Sequence, residues 1–182
     1  MSAAFDGTVS CHAGNGTPRW QQKINSHFPF DLAVADIDND GLDEVFVATG
    51  GGTLDAYDSD GTPLWTFQSK AQLYRVCPVQ TSPGRWVILT GGVEKQLFSV
   101  STGGTLVKKI PAENVVRHIR KGNILGDGRE YAAVTTTSSG RNGRLSLLLV
   151  DVEDLTVLWK QTGLDSKKEL QPAAAVFQHD RF

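Results

Sequence analysis

The sequence predicts an all-β fold assembled from repeated four-strand units, and three observations predict it. Gly7 to Trp20 aligns without gaps on Gly52 to Trp65, with Gly, Thr, Gly, Thr, Pro and Trp identical at an offset of 45 residues. Asp40-Gly41 with its apolar run Val45 to Ala48 pairs with Asp127-Gly128 and Tyr131 to Val134 at an offset of 87 residues, close to twice the first. Finally, helix-period patterning is nearly absent, while alternating runs such as Thr53 to Tyr57 and Arg144 to Asp151 are bounded by Gly, Asp and Ser clusters.

Elements follow in order from this period. Phe5 to Gln21 reads as the outer half of one unit, and full units are expected at 28–68, 69–110 and 111–163. The middle unit is the most legible, with Trp86 to Thr90, Gln96 to Val100 and Leu106 to Ile110 separated by Gly91-Gly92 and Gly103-Gly104 turns. A tail near 170–182, ending Gln171 to Phe182, reads as an inner strand. Four short strands repeating every 43 to 45 residues are β-propeller blades, because each small sheet buries its faces only by stacking on neighbours. Residues 1–182 thus form one propeller domain or part of a larger one. Pairing the two ends would close a four-blade ring without exposed edges; equally, further blades or a second chain would complete a larger ring.

Composition narrows the function classes. With 40% hydrophobic and 21% charged residues and a formal charge of −2, the chain is globular and offers no electrostatic case for nucleic acid. Its longest apolar stretches, such as Leu145 to Val150, are strand-sized, so no membrane span is expected. Residues 1 to 25 lack the pattern of a secretory signal. Cys11 and Cys77 have no CxxC spacing, and two free core thiols are favoured over a disulfide.

The strongest chemical signal is Ala35 to Val45, which puts carboxylates at loop positions 1, 3, 5 and 9 and glycine at position 6. Alternating aspartates on a curling backbone converge on one point, as a hard cation with six to eight oxygen ligands requires. Asp36, Asp38, Asp40 and Glu44 are the expected ligands, with Leu42 contributing its carbonyl and Ca2+ as the ion. An acidic turn without metal is the competing reading. An EF-hand is disfavoured, because position 12 is Val47 inside a strand. In the second loop, Asn123 to Glu130, position 3 is Leu125 and Glu130 arrives one residue early, so a shape-keeping turn is expected there.

Strand, D-x-D-x-D-G-x-x-[DE], strand resembles the FG-GAP or VCBS-type calcium-loop repeats of integrin α-chain propellers and many bacterial secreted proteins. The hairpins Ala56 to Trp65 and Val150 to Trp159 resemble the tryptophan-docking blades of quinoprotein-like propellers. The resemblance implies a calcium-stabilised, extracellular or periplasmic propeller, used as a binding or scaffolding module for a glycan or protein partner. The middle unit departs from it, with no Asp-rich loop and Val107 or Lys108 in place of the docking tryptophan.

Trp20, Trp65 and Trp159 recur at one blade position and are expected to pack between sheets, whereas Trp86 falls outside that register. Inner strands would converge near the axis and bring His27, Asp31, Tyr74, Arg75, Arg117, His118 and Arg120 together. Tyr74, Arg75, Arg117 and His118 are the candidate ligand site, suited to an anionic ligand because guanidinium binds carboxylate bidentately. Solvated strand-end residues are the plainer reading. No GxSxG, HExxH, phosphate loop or Cys/His pair is present, so catalysis is not expected of the chain itself. Its rivals are part of a propeller polysaccharide lyase, similar to the calcium-dependent rhamnogalacturonan lyases, or another carbohydrate-active enzyme, and a quinoprotein-like dehydrogenase fragment.

Overall fold

The computed structural model describes residues 1–24, 28–138 and 143–165. Among the described residues, fifteen strands form four antiparallel sheets in chain order. Sheet A is β1 (Ser2–Ala3), β2 (Thr8–His12) and β3 (Pro18–Lys23). Sheet B is β4 (Pro29–Ala35), β5 (Glu44–Thr49), β6 (Thr53–Tyr57) and β7 (Pro63–Gln68). Sheet C is β8 (Leu73–Ser82), β9 (Arg85–Gly92), β10 (Gln96–Ser101) and β11 (Leu106–Pro111). Sheet D is β12 (Val115–Gly122), β13 (Tyr131–Thr137), β14 (Arg144–Asp151) and β15 (Thr156–Asp165). The first unit therefore begins earlier than its sequence suggests, with three strands, because β1 is too short to show alternation. The tail at 170–182 lies outside the described residues.

Each core is a layer between two blades, and strand alternation assigns the side chains to layers. On β5, buried from end to end, Val45 and Val47 face sheet A and join Val9, Ile24 and Tyr57. Phe46 and Ala48, pointing the other way, join Leu73, Val76, Ile88 and Phe98 of the layer against sheet C. Val87, Leu89 and Leu97 then meet Val116, Ile119, Val134 and Leu148 between sheets C and D. At about 1.5–3 kcal/mol per buried aliphatic or aromatic side chain, these three layers are the main stabilisation of the chain.

Tryptophans lock the outer rim. Trp20 donates its indole N–H to the Ser59 carbonyl at 2.8 Å, and Trp65 donates to that of Thr102 at 2.7 Å. Under each ring lies a glycine of the next blade in the left-handed region, Gly61 at φ 89° and Gly104 at φ 80°. A Cβ there would stand 2.6 Å from the Trp20 ring or 2.8 Å from that of Trp65, so only glycine satisfies both backbone and packing.

The third interface uses a different pair. Ladder register, with its bulge one residue earlier, puts Lys108 at the docking position: Ala56 faces Trp65, Ser99 faces Lys108 and Leu149 faces Trp159. Lys108 hydrogen-bonds the Asp154 carbonyl, and the glycine seat is taken by Leu155, left-handed at φ 55° and buried. With no indole to cover it, the seat accepts a side chain.

The sheets of the described residues form an open arc. β1 packs on β4, β4 on β8 and β8 on β12. Trp159 is 49% exposed, and among the described residues nothing lies within 4 Å of the Cβ position at Gly16, the counterpart of Gly61 and Gly104. A closed four-blade ring would have seated Trp159 on that glycine.

Candidate functional site

The acidic loop joins β4 to β5. Carboxylate oxygens of Asp36, Asp38 and Asp40 all lie within 4.8 Å of one another. Backbone N–H groups hold them there. Gly41 donates to Asp36 at 3.1 Å, Asp40 to Asp38 at 3.1 Å, and Leu42 to Asp40 at 2.8 Å. Glu44 accepts from the Ile37 N–H at 2.9 Å through one oxygen. Its other oxygen and Oδ1 of Asp36 are buried without a hydrogen-bond partner. Burial pushes the Glu44 carboxyl above its ordinary pKa; the Ile37 N–H opposes this, and the charges of Asp38, Asp40 and Asp58 add to it. Orphaned carboxylate oxygens facing a cluster of like charge cost stability unless a cation meets them. The donor set is all oxygen, hard and anionic, and fits a calcium ion.

The loop between β12 and β13 shows the same backbone design with its own cation. Asn123 accepts from Gly128 N–H at 3.2 Å across five residues, as Asp36 does from Gly41. Tyr131 occupies the ladder position of Glu44, and Arg129 falls at the position of Leu42. The Arg129 guanidinium lies 3.1 Å from Asp127 and 3.3 Å from Asp151, and stacks over Tyr131 at 5.1 Å. The Tyr131 hydroxyl donates to Asp127 at 2.6 Å, and chiefly for that reason the Asp127 carboxyl falls to about 2. An arginine of the chain thus balances the carboxylates here. Glu130 falls one residue before the ladder position of Glu44, which Tyr131 occupies, and the balancing cation is Arg129 within the loop itself.

At the inner strands, β4, β8 and β12 each break register at the same place, and β8 does so a second time between Gln80 and Ser82. The residues skipped at the shared place are Phe30, Tyr74 and Arg117, between Pro29 and Asp31, Leu73 and Arg75, and Val116 and His118. A bulge re-aims one side chain out of the ladder. The three side chains meet in a row, Phe30 edge-on to Tyr74 at 4.7 Å and the Arg117 guanidinium 5.3 Å over the Tyr74 ring. Tyr74 and Arg117 of the sequence-derived site are therefore in contact. Arg75 turns its guanidinium to the Tyr74 carbonyl at 2.7 Å, and Arg117 donates to Thr137 at 2.8 Å. Burial and the charges of Arg75 and Arg120, then Arg117, hold the His118 imidazole below its ordinary pKa, with Asp31 opposing.

Two of the expected residues are engaged locally. Asp31 accepts the Val76 N–H at 3.1 Å and so staples β4 to β8, while Arg120 donates to its neighbour's carbonyl at 3.0 Å. His27 lies outside the described residues. Phe28 and Phe30 were missed from sequence, although Phe30, Tyr74 and Arg117 follow one another at the blade period. Trp86 lies under the Lys121 ammonium at 4.9 Å. Both Cys11 and Cys77 are free thiols, and burial pushes Cys77 up to about 11.

With this geometry in place, comparison with known proteins assigns the family. The family described as lambda-carrageenase beta-propeller domain matches residues 1–133. The chain belongs to it. Within that family's wider company, the lambda-carrageenase of Pseudoalteromonas carrageenovora is 29% identical over 137 residues, and that of a Pseudoalteromonas species is 30% identical over 138. Each match covers 75% of this chain but only 14% of the relative. Among solved structures, Saccharomyces cerevisiae Sqt1 superposes with a TM-score of 0.72 at 15% identity, over 90% of this chain and 47% of Sqt1. The WD40 propeller domain of Doa1 gives 0.64 at 16% identity, over 87% and 49%. These two share the fold, and the carrageenase propeller member spans about half of each.

Proposed function

We propose that this chain is a calcium-stabilised portion of the β-propeller of a carbohydrate-active enzyme, and that it contributes glycan binding rather than bond cleavage. The family membership carries the enzyme reading, since both relatives are named as lambda-carrageenases. The chain's own role is read from its side chains: the aspartates of the β4–β5 loop and Asp127 are engaged in loop hydrogen bonds and ion pairs, and Arg75, Arg117 and Arg120 lie close enough to His118 at the inner-strand mouth to join burial in holding its imidazole neutral. A scaffolding role for a protein partner has no comparable support. An extracellular or periplasmic location suits the metal, because extracellular modules work at the high calcium levels found there.

Asp36, Asp38, Asp40, the Leu42 carbonyl and Glu44 would hold the ion. Calcium would supply positive charge to the three crowded carboxylates of Asp36, Asp38 and Asp40, and the orphaned oxygens of Asp36 and Glu44 support this role. Thermal melts with calcium and with EGTA test it. Binding only to the folded state adds RT ln(1 + [L]/Kd), about 2.7 kcal/mol at a hundredfold excess. The melting temperature is expected to rise with calcium in the wild type and to stay put in Asp38→Ala; identical curves with calcium and EGTA contradict the assignment.

The open arc belongs to a larger ring. Exposed Trp159 at one end and uncovered Gly16 at the other are the two halves of the lock already formed twice within the chain, and further blades or a second chain would complete them. Sedimentation of the 182-residue chain distinguishes the sources: a dimer lost in Trp159→Ala points to a second copy, and a monomer to blades of a longer polypeptide.

A further inference from the structure

An aromatic row lies at the inner-strand mouth, outside the three buried layers. Phe5 stacks on Phe28 with centroids 4.6 Å apart and planes 7° from parallel. Phe28 meets Phe30 edge-on at 4.9 Å, Phe30 meets Tyr74 at 4.7 Å, and Arg117 caps Tyr74. None of these rings belongs to the three buried layers. Phe5 is 79% exposed and Phe30 36% exposed. Burial therefore does not account for the row, and three bulges at one blade position are what build it. Room is kept for it as well: a Cβ on Gly50 would come within 3.2 Å of the Phe28 ring and 3.4 Å of Phe30.

We infer that this row, from Phe5 to Arg117, is a stacking track for consecutive sugar rings of an anionic polysaccharide; the inference rests on the glycan-binding reading and names where and how the chain is gripped. Aromatic faces, negative at the centre, attract the polarised C–H face of a pyranose ring, much as they attract cations. Anionic substituents are selected by the surround. The chain carries a formal charge of −2, yet Arg75, Arg117, Arg120 and His118 gather here, and the carboxylate that acts on His118 among the described residues, Asp31, is held by the Val76 N–H. A guanidinium beside a stacking ring takes a sulfate or carboxylate in two-point fashion. The row crosses sheets A to D, so its ligand is an extended chain and not a single sugar.

Calorimetric titration of the 182-residue chain with sulfated galactan oligosaccharides, and with the same oligosaccharides desulfated, tests the track. Wild type is expected to bind the sulfated form, and the desulfated form about tenfold more weakly. Phe30→Ala and Tyr74→Ala are each expected to weaken binding about tenfold, which is about 1.4 kcal/mol. Phe5→Ala, at a side chain too exposed to matter for folding, should weaken it severalfold, and an unchanged melting temperature separates loss of contact from loss of fold. Arg117→Gln should erase the preference for the sulfated form while neutral binding persists. Wild-type binding that survives Phe5→Ala, Phe30→Ala and Tyr74→Ala overturns the track but leaves glycan binding by this chain standing. Failure of the wild type to bind either oligosaccharide overturns both.

Discussion

Two loops of the same backbone design show how single residues decide what a site holds. In the β4–β5 loop, Asp38 and Leu42 leave the carboxylates of Asp36, Asp40 and Glu44 without a partner of opposite charge. In the β12–β13 loop, Leu125 removes one carboxylate and Arg129 supplies a cation, bound by Asp127 and Asp151. The consequence is legible in titration. Hydrogen bonding by Tyr131 lowers the Asp127 carboxyl in the folded state to about 2, so its contribution to stability is present above the ordinary carboxylate pKa and is lost as pH falls towards 2. A carboxyl-carbon NMR titration should place the Asp127 midpoint near 2 and move it upward in Tyr131→Phe; a midpoint at the ordinary value in the wild type contradicts the pairing. Calcium should leave this resonance unmoved while shifting those of Asp36, Asp38 and Asp40.

At the scale of the element, the hairpin of each blade is half of a lock whose other half is on its neighbour. Trp65 over Gly104 and Lys108 beside Leu155 are two solutions to one position, and they exclude each other: an indole needs the bare glycine, and a leucine fills the space an indole would take. Lys108→Trp alone should therefore destabilise, because Leu155 occupies the seat, and Leu155→Gly alone should destabilise by leaving a cavity. Together they should recover, with a favourable coupling of about 1 kcal/mol or more in a double-mutant cycle by urea unfolding. Strict additivity would show that the two positions do not share one seat. Gly104→Ala should cost more than Gly16→Ala, since both force a left-handed backbone but only the first meets a ring.

For the whole molecule, the same lock explains why the arc has two unlike ends. Trp65→Ala removes a ring packed between blades and a hydrogen bond, and should cost about 3 kcal/mol. Trp159→Ala removes a ring that is half exposed, and in the isolated chain should change stability by less than about 1 kcal/mol. Equal losses in a denaturation experiment would mean that Trp159 is already covered. Burial of both faces of each sheet is what holds a propeller together, so the outer face of sheet D invites a neighbour.

The blade period, the docking tryptophans and the acidic loop were all written locally in the sequence, because each depends on residues a few positions apart within one hairpin. Alternation along β5 or β9 likewise follows from the two-residue pleat and needs no knowledge of the partner sheets. What only the tertiary structure decided are relations between blades. The bulges that line up Phe30, Tyr74 and Arg117 depend on three inner strands lying side by side, and no local pattern marks Phe30 as exposed while Phe46 is buried. Arg129 reads as an ordinary surface charge until the fold brings Asp151 of β14 beside it. Nor could the docking of Lys108 on the Asp154 carbonyl be read from either hairpin alone, since it joins residues 46 positions apart on neighbouring blades.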